Sequence, residues 1–294
     1  MMLKGLFPRS GVVSKILILV GISCFLLVFA AIIFRVVLGS HAQDASHFKL
    51  KLLVESVSMF VLPPFALAYL CSSKPIKFLH IDRRINWLHV AQVVVFMLMI
   101  IPAVNLLTSI NQQLVLPKAF QFIETRMKDY EDQMAKLTEQ LLNVHSLQAL
   151  AFNLFLIAMI PAFGEELFFR GAVQGIIQEK MNVKFAIWIT AIVFSAIHLQ
   201  FYGFFPRMLL GAFFGYLLFW SENLWLPIAA HFTNNAVAIV FYYLKYNGYK
   251  LPDIDTIGTG NTLWLGLVSA AFALFGFFLF KKLFFRQSCV HAES

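Results

Sequence analysis

Charge is scarce in this chain. Asp, Glu, Lys and Arg together make 13% of its 294 residues, against roughly 25% in a soluble domain. With 60% of the residues hydrophobic and 33 of them phenylalanine, one water-soluble core inside a solvated shell is excluded; the solvent of such a chain is mostly lipid. Cysteine is nearly absent. Cys24, Cys71 and Cys289 stand far apart with no C-x-x-C pair, which excludes a disulfide framework and a thiolate zinc site and leaves small packing residues. Strict alternation of apolar and polar residues is missing too, so nothing suggests a β-barrel, and no internal repeat is visible. The net charge of +8 raises nucleic acid as a partner, but Lys and Arg gather at the ends of apolar runs. That is membrane flanking, and it excludes a duplex-binding patch.

Apolar runs are what the sequence has in plenty. Several reach the roughly 20 residues needed to cross a hydrocarbon core about 30 Å thick. Eight spans can be drawn, at 16–38, 51–71, 87–108, 147–170, 184–200, 207–221, 224–244 and 262–283. Helices are expected because each satisfies its own backbone hydrogen bonds in lipid. The predicted fold class is all-α, a polytopic transmembrane helical bundle of about eight spans forming one integral membrane domain over 1–294. The first run follows Lys4, Arg9 and Lys15 and is followed by Ser40–His41–Ala42, which resembles a cleavage site. It exceeds the roughly 7–15 residues of a signal core and reads as a retained span. An even number of spans puts both termini on one side. Lys74, Lys77, Arg83, Arg84, Arg170, Lys180, Lys184, Lys281, Lys282 and Arg286 share that side with the N-terminal bases, so both termini are expected in the cytoplasm.

Residues 117–142 differ in kind. Phe120, Ile123, Met127, Tyr130, Met134, Leu137 and Leu141 recur at intervals of three and four, one stripe along a helix. Glu124/Lys128 and Asp132/Lys136 support it locally at i,i+4. An amphipathic helix between the third and fourth spans is expected, lying on the membrane or over the bundle. A coiled-coil contact and a substrate-gating helix are the alternatives.

Charged groups at the membrane centre cost on the order of 3 kcal/mol each, so those inside the late spans need a reason. "PAFGEELFFRG", residues 161–171, holds Glu165, Glu166 and Arg170. Glu166 and Arg170 can pair at i,i+4, whereas Glu165 points about 100° away and has no partner on its own helix. Pro161 and Gly164 are expected to bend the helix or open its backbone to close approach. "FSAIHLQF" carries Phe194 and His198, and "HFTNNAV" places His231 and Asn235 on one helical face. Each cluster alone is equally a structural device: a Glu–Arg clamp, a hydrogen-bonded histidine, an interhelical amide bond. Depth links them. A turn near Met181–Asn182 returns Glu165 and His198 to the same level by nearly equal arms. His231 joins them only if the fourth and fifth spans protrude by roughly 12 Å past the neighbouring turn. Together the four side-chain types make a hydrolytic site. Histidine nitrogens hold a zinc or other divalent ion, or act on water directly; Glu165 takes the proton; Asn235 steadies the oxyanion.

E-E-x-x-x-R at 165–170, F-x-x-x-H at 194–198 and H-x-x-x-N at 231–235 resemble, in order and on separate spans, the three motifs of the CPBP family. These are the CAAX-protease and bacteriocin-processing, or Abi, intramembrane endopeptidases. The resemblance covers about 147–245. It implies a glutamate-dependent, metal-assisted endopeptidase acting on a peptide or protein with a membrane-associated segment. By that resemblance Glu165 is the water-activating base, Glu166 and Arg170 support it, and His198, His231 and Asn235 complete the site, with the two histidines as metal ligands. It also implies a bacterial cytoplasmic membrane; no prenylated partner and no oligomeric state are read from the residues. Other intramembrane proteases fit worse: there is no H-E-x-x-H, "GTGN" at 258–261 lacks the aspartate of a G-x-G-D site, and Ser195 has no G-x-S-x-G around it. A transporter or a non-catalytic scaffold using the same polar cluster is the alternative from another class.

Overall fold

The computed structural model describes residues 4–38, 45–115 and 117–292, and the side chains of these other than 38, 45–46 and 285–292. Ser40, His41 and Ala42 lie outside the described residues, as does the Cys289 side chain. Cys24 is exposed and Cys71 buried, both as free thiols.

Every apolar run becomes helix, and no strand occurs among the described residues. The first run is α1 (Val12–Leu38). The second, α2, runs from Ala45–Ser56 through a π turn at Val57–Val61 into Leu62–Cys71. Next come α3 (Trp87–Met99) and α4 (Ile101–Gln112), bent by 45° where Pro102 opens α4. The amphipathic segment is α5 (Gln121–Leu142). Then follow α6 (Leu147–Gln178), α7 (Val183–Ala196), α8 (Phe204–Ser221), α9 (Trp225–Tyr246) and α10 (Leu263–Ala292).

Among the described residues five helices are long and apolar enough to cross a membrane, α1, α2, α6, α8 and α10, and the bent α3–α4 pair makes a sixth if it is one span. The other two drawn spans fall short for separate reasons. α7 has only 14 residues, and α9 carries His231, Thr233, Asn234 and Asn235 within an otherwise sufficient length.

The connections nonetheless alternate between two faces. On one face Lys15 meets Glu179 at 2.6 Å, Arg83 meets Glu222 at 2.6 Å, and the Leu224 N–H donates to the His80 carbonyl at 3.0 Å. On the other, Asn111 donates to the Phe201 carbonyl at 2.9 Å, Asn105 to the Ile254 carbonyl at 2.7 Å, and Tyr246 to Glu139 at 3.0 Å. Among the described residues these contacts sort the connections into two groups at opposite ends of the helices.

The connection between α8 and α9 is sunk. Leu224 is fully buried, and a Cβ on Gly171 would lie 3.3 Å from Leu79 and 3.6 Å from Leu224. Seven residues of α6 therefore continue past that level, about 10 Å at 1.5 Å per residue. This is the offset that brings His231, early in α9, level with Glu165 and His198. Gly164 serves close packing: a Cβ there would meet Val61 at 2.9 Å and Phe60 at 3.1 Å, both on α2.

The amphipathic stripe is shifted from the expected one. Phe120, Ile123 and Tyr130 are exposed, and the inward face of α5 uses Glu124, Met127, Glu131, Met134 and Leu141. Two acids replace apolar residues there because both bind the α7–α8 connection: Glu124 Oε1 accepts from the Tyr202 hydroxyl and Glu131 Oε1 from the Tyr202 N–H, each at 3.0 Å.

α8 crosses α6 and α7 on Gly211 and Gly215, a G-x-x-x-G pair that lets backbones approach. A Cβ at Gly211 would fall 3.0 Å from Arg170 Nη2 and 3.0 Å from Phe194, and one at Gly215 2.7 Å from Gln174 Oε1. Arg170 and Gln174 instead donate to the Gly211 and Gly215 carbonyls at 2.9 and 3.2 Å. Gly211→Leu is expected to lose about 1–3 kcal/mol or more by overpacking, seen as a lower denaturation midpoint of the detergent-solubilised protein, whereas a leucine at Gly21, which has open space around it, leaves the midpoint in place.

Candidate active site

α6 delivers both carboxylates. Glu165 and Glu166 are consecutive, so their side chains leave the helix about 100° apart and enter different surroundings. Glu166 and Arg170 are both 0% exposed. Glu166 Oε1 accepts from Arg170 Nη1 at 2.8 Å, one turn on, and lies 2.8 Å from His231 Nδ1 on α9. The Arg170 guanidinium lies 4.4 Å from the Phe194 ring centroid and 5.4 Å from that of Phe214. The i,i+4 pair read from the sequence is therefore present, and it ties α6 to α8 and α9 with an α7 ring packed against it.

Glu165 faces the opposite sides of both imidazoles. Its Oε2 lies 3.9 Å from His231 Nε2 and 4.0 Å from His198 Nε2, and is buried with no hydrogen-bond partner in the protein. The outer partners of the two rings fix their tautomers. His198 Nδ1 lies 2.8 Å from the Phe194 carbonyl oxygen; a carbonyl only accepts, so Nδ1 carries the proton. His231 Nδ1 likewise donates to Glu166. Each neutral ring then presents a bare Nε2 lone pair toward Glu165. An acceptor oxygen facing two acceptor nitrogens at these distances needs a donor between them. A water molecule, with two O–H bonds, meets that need.

Aromatic walls hold the rings in plane. Phe214 stacks on His231 at 5.4 Å and 23°, while Phe194 meets His198 and His231 edge-on at 5.1 and 5.8 Å. Exposure rises along the site: side chains are 0% exposed at Glu166, 8% at His231, 12% at Glu165 and 28% at His198. The clamp is sealed and the reactive edge opens on the His198 side. Asn235 is half-buried, one turn beyond His231, and accepts from Asn234 at 3.3 Å.

Two imidazole Nε2 atoms and a carboxylate are donor types that suit zinc or another divalent ion. Among the described residues, however, no group of three or more His, Cys, Asp or Glu side chains has metal-holding spacing. The arrangement as it stands fits water, and the hydrolytic steps can be carried by the side chains.

Three parts of the site escaped sequence reading. Phe214 looked like one more apolar residue of α8. Gly211, whose carbonyl holds Arg170, was signalled by the G-x-x-x-G spacing alone. Arg207 stood at the edge of an apolar run, where a base reads as flanking charge.

Residues 147–237 match the family model described as type II CAAX prenyl endopeptidase Rce1-like. That stretch contains all three motifs, and the structure brings His198 of the second and His231 of the third beside Glu165 of the first. Over this segment the chain is similar to the CPBP or CAAX-protease family. It is also similar to "Putative membrane peptidase YdiL" of Bacillus subtilis, 26% identical over 112 residues. That similarity covers 38% of this chain and 45% of the relative's length, so the chain spans less than half of the curated protein it matches. No solved structure matches the chain. In this segment the two carboxylates separate by experiment. Glu166→Ala leaves Arg170 buried without its counter-charge and is expected to lose about 3–5 kcal/mol. Glu165→Gln, which breaks no hydrogen bond inside the protein, is expected to stay within about 1 kcal/mol of the parent. Thermal denaturation in detergent measures both.

Proposed function

We propose that the chain is an intramembrane endopeptidase in which Glu165 activates water. The observation that carries this reading is the convergence of Glu165 Oε2 with two imidazole Nε2 lone pairs at 3.9 and 4.0 Å. A water held there gives one hydrogen to Glu165 and the other to an imidazole. As its oxygen adds to the peptide carbonyl carbon, Glu165 takes the proton and the carbonyl π electrons move to the oxygen. The tetrahedral centre then collapses, the C–N bond breaks, and the proton passes from Glu165 to the departing nitrogen. The products are a carboxylic acid and an amine. Glu166 acts on this sequence by holding His231 in one tautomer, and Arg170 by holding the Glu166 carboxylate in place.

His198 and His231 are the residues that would hold a divalent ion through Nε2; such an ion, when bound, makes its water more acidic. The substrate reading is a peptide or protein with a membrane-associated segment, since the helices around the site are apolar outside. The family description names prenylated substrates, whereas this geometry bears on the peptide bond alone. The bases near Lys15, Arg83 and Lys180 lie on one face, which by the positive-inside rule supports reading that face and both termini as cytoplasmic in a bacterial cell.

The test compares membrane peptides from cells carrying the parent chain or Glu165→Gln. Loss of a general base costs about 100- to 10,000-fold, so defined fragments should vanish with Glu165→Gln while their uncleaved precursors accumulate and co-purify with the variant. Identical fragment patterns in the two membranes would rule the hydrolase out.

A further inference from the structure

Addition of water to a peptide carbonyl places negative charge on oxygen, and a site that lowers this barrier has a donor aimed at that oxygen. The donors near Glu165 are few. Arg170 is engaged through Nη1 with Glu166 and through Nη2 with Gly211. Both histidines present lone pairs at Nε2. Asn235, one turn beyond His231 on α9, accepts from Asn234 through Oδ1 and keeps its amide N–H groups as a further donor.

Arg207, in the first turn of α8, is different. Its Nη2 donates to Gln200 Oε1, two residues after His198, which anchors the guanidinium beside the open end of the site. Its Nη1 is buried and has no hydrogen-bond partner in the protein. Gly203 leaves room for the group: a Cβ there would sit 3.1 Å from Nη2. The guanidinium acts electrostatically on Glu165 and Glu131, and on His198. Yet among the described residues it makes no ion pair with either acid within the 4.0 Å of a direct contact. A cation serving only to neutralise Glu165 would close that distance, because a buried guanidinium N–H without a partner is costly.

We propose that Arg207 Nη1 receives the carbonyl oxygen of the scissile peptide and holds its negative charge in the tetrahedral intermediate. This rests on the hydrolase reading. The electron pair that Arg207 stabilises is the carbonyl π pair displaced when the water oxygen bonds to carbon; it returns to re-form the carbonyl as the C–N bond breaks. Arg207 keeps its proton throughout.

The full chain in lipid nanodiscs is assayed with a mixture of fluorogenic apolar peptides, and binding is measured for one apolar peptide and its phosphinate analogue, a tetrahedral anion. Arg207→Gln should lower kcat about 100- to 1,000-fold with KM unchanged, and Arg207→Lys should keep an intermediate rate. Phosphinate affinity should fall in Arg207→Gln, in the parent and in the Glu165→Gln background alike. Equal affinity of every form for the plain peptide shows that the variants are folded. Phosphinate affinity indifferent to Arg207, or a loss confined to KM for peptides with a free rather than amidated C-terminus, overturns the assignment. Equal cleavage by the parent and Glu165→Gln would remove the hydrolase reading and this assignment with it. Loss of cleavage in Glu165→Gln, with Arg207→Gln cleaving as the parent does, would remove this assignment alone.

Discussion

One oxygen atom organises the second half of this protein. Glu166 Oε1 is shared by Arg170 and His231, each at 2.8 Å, in a place where neither the acid nor the guanidinium has any exposure. Buried charges persist only when paired and hydrogen-bonded, so the geometry here leaves little freedom. Arg170 must reach the Gly211 carbonyl, which requires α8 to pass at glycine distance. His231 must turn Nδ1 inward, which forces Nε2 outward. The position of α9 and the face that His231 shows to Glu165 follow from the same contact. Pairing of a structural clamp with a reactive edge through one imidazole is the central device of the site.

Two neighbouring carboxylates thereby acquire opposite characters. Glu166 is sealed, with Oε1 shared by Arg170 and His231 and Oε2 buried without a partner. Glu165, one residue earlier and about 100° round the helix, has an oxygen that meets only lone pairs. Identical side chains become a counter-ion to a guanidinium in one case and a neighbour of two imidazoles in the other because of direction alone. The aromatic rings matter in the same way: Phe194 contacts both imidazoles and the Arg170 guanidinium, so a single side chain keeps three functional groups in register.

Much of this was legible in the residues. The spacing of Glu166 and Arg170 predicted their pair, and the equal arms about Met181–Asn182 predicted that Glu165 and His198 would meet. The offset needed for His231 is accounted for by the sunken Leu224 and the continuation of α6 past Gly171. What was not legible depended on contacts between distant segments. Arg207 resembled a flanking base because its partner, Gln200, and its neighbour, Glu165, are set by tertiary packing. The stripe of α5 was drawn through Ile123 and Tyr130 by periodicity, whereas Glu124 and Glu131 turn inward to meet Tyr202. Hydrophobic periodicity cannot see an acid that is buried for a hydrogen bond. Of the eight drawn spans, α7 and α9 fall outside the five or six that length and apolarity support among the described residues, since α7 is short and α9 carries the polar residues of the site itself.

The division between chemistry and access follows from those same α5 contacts. The reactive groups lie within 147–237, but the open side of the site is bounded by the Leu199–Gly203 connection. Leu199 there adopts a left-handed backbone, φ 55°, which ends α7 abruptly and points the chain toward α8. Tyr202 is buried by α5, held through its hydroxyl and its N–H, with Lys128 over its ring at 5.4 Å. At its other end α5 is fixed by Tyr246 to Glu139 and by Asn153 to the Leu141 carbonyl. The helix therefore bridges the His198 connection and the far end of α9. A segment outside the matched family region thus holds the connection that follows His198.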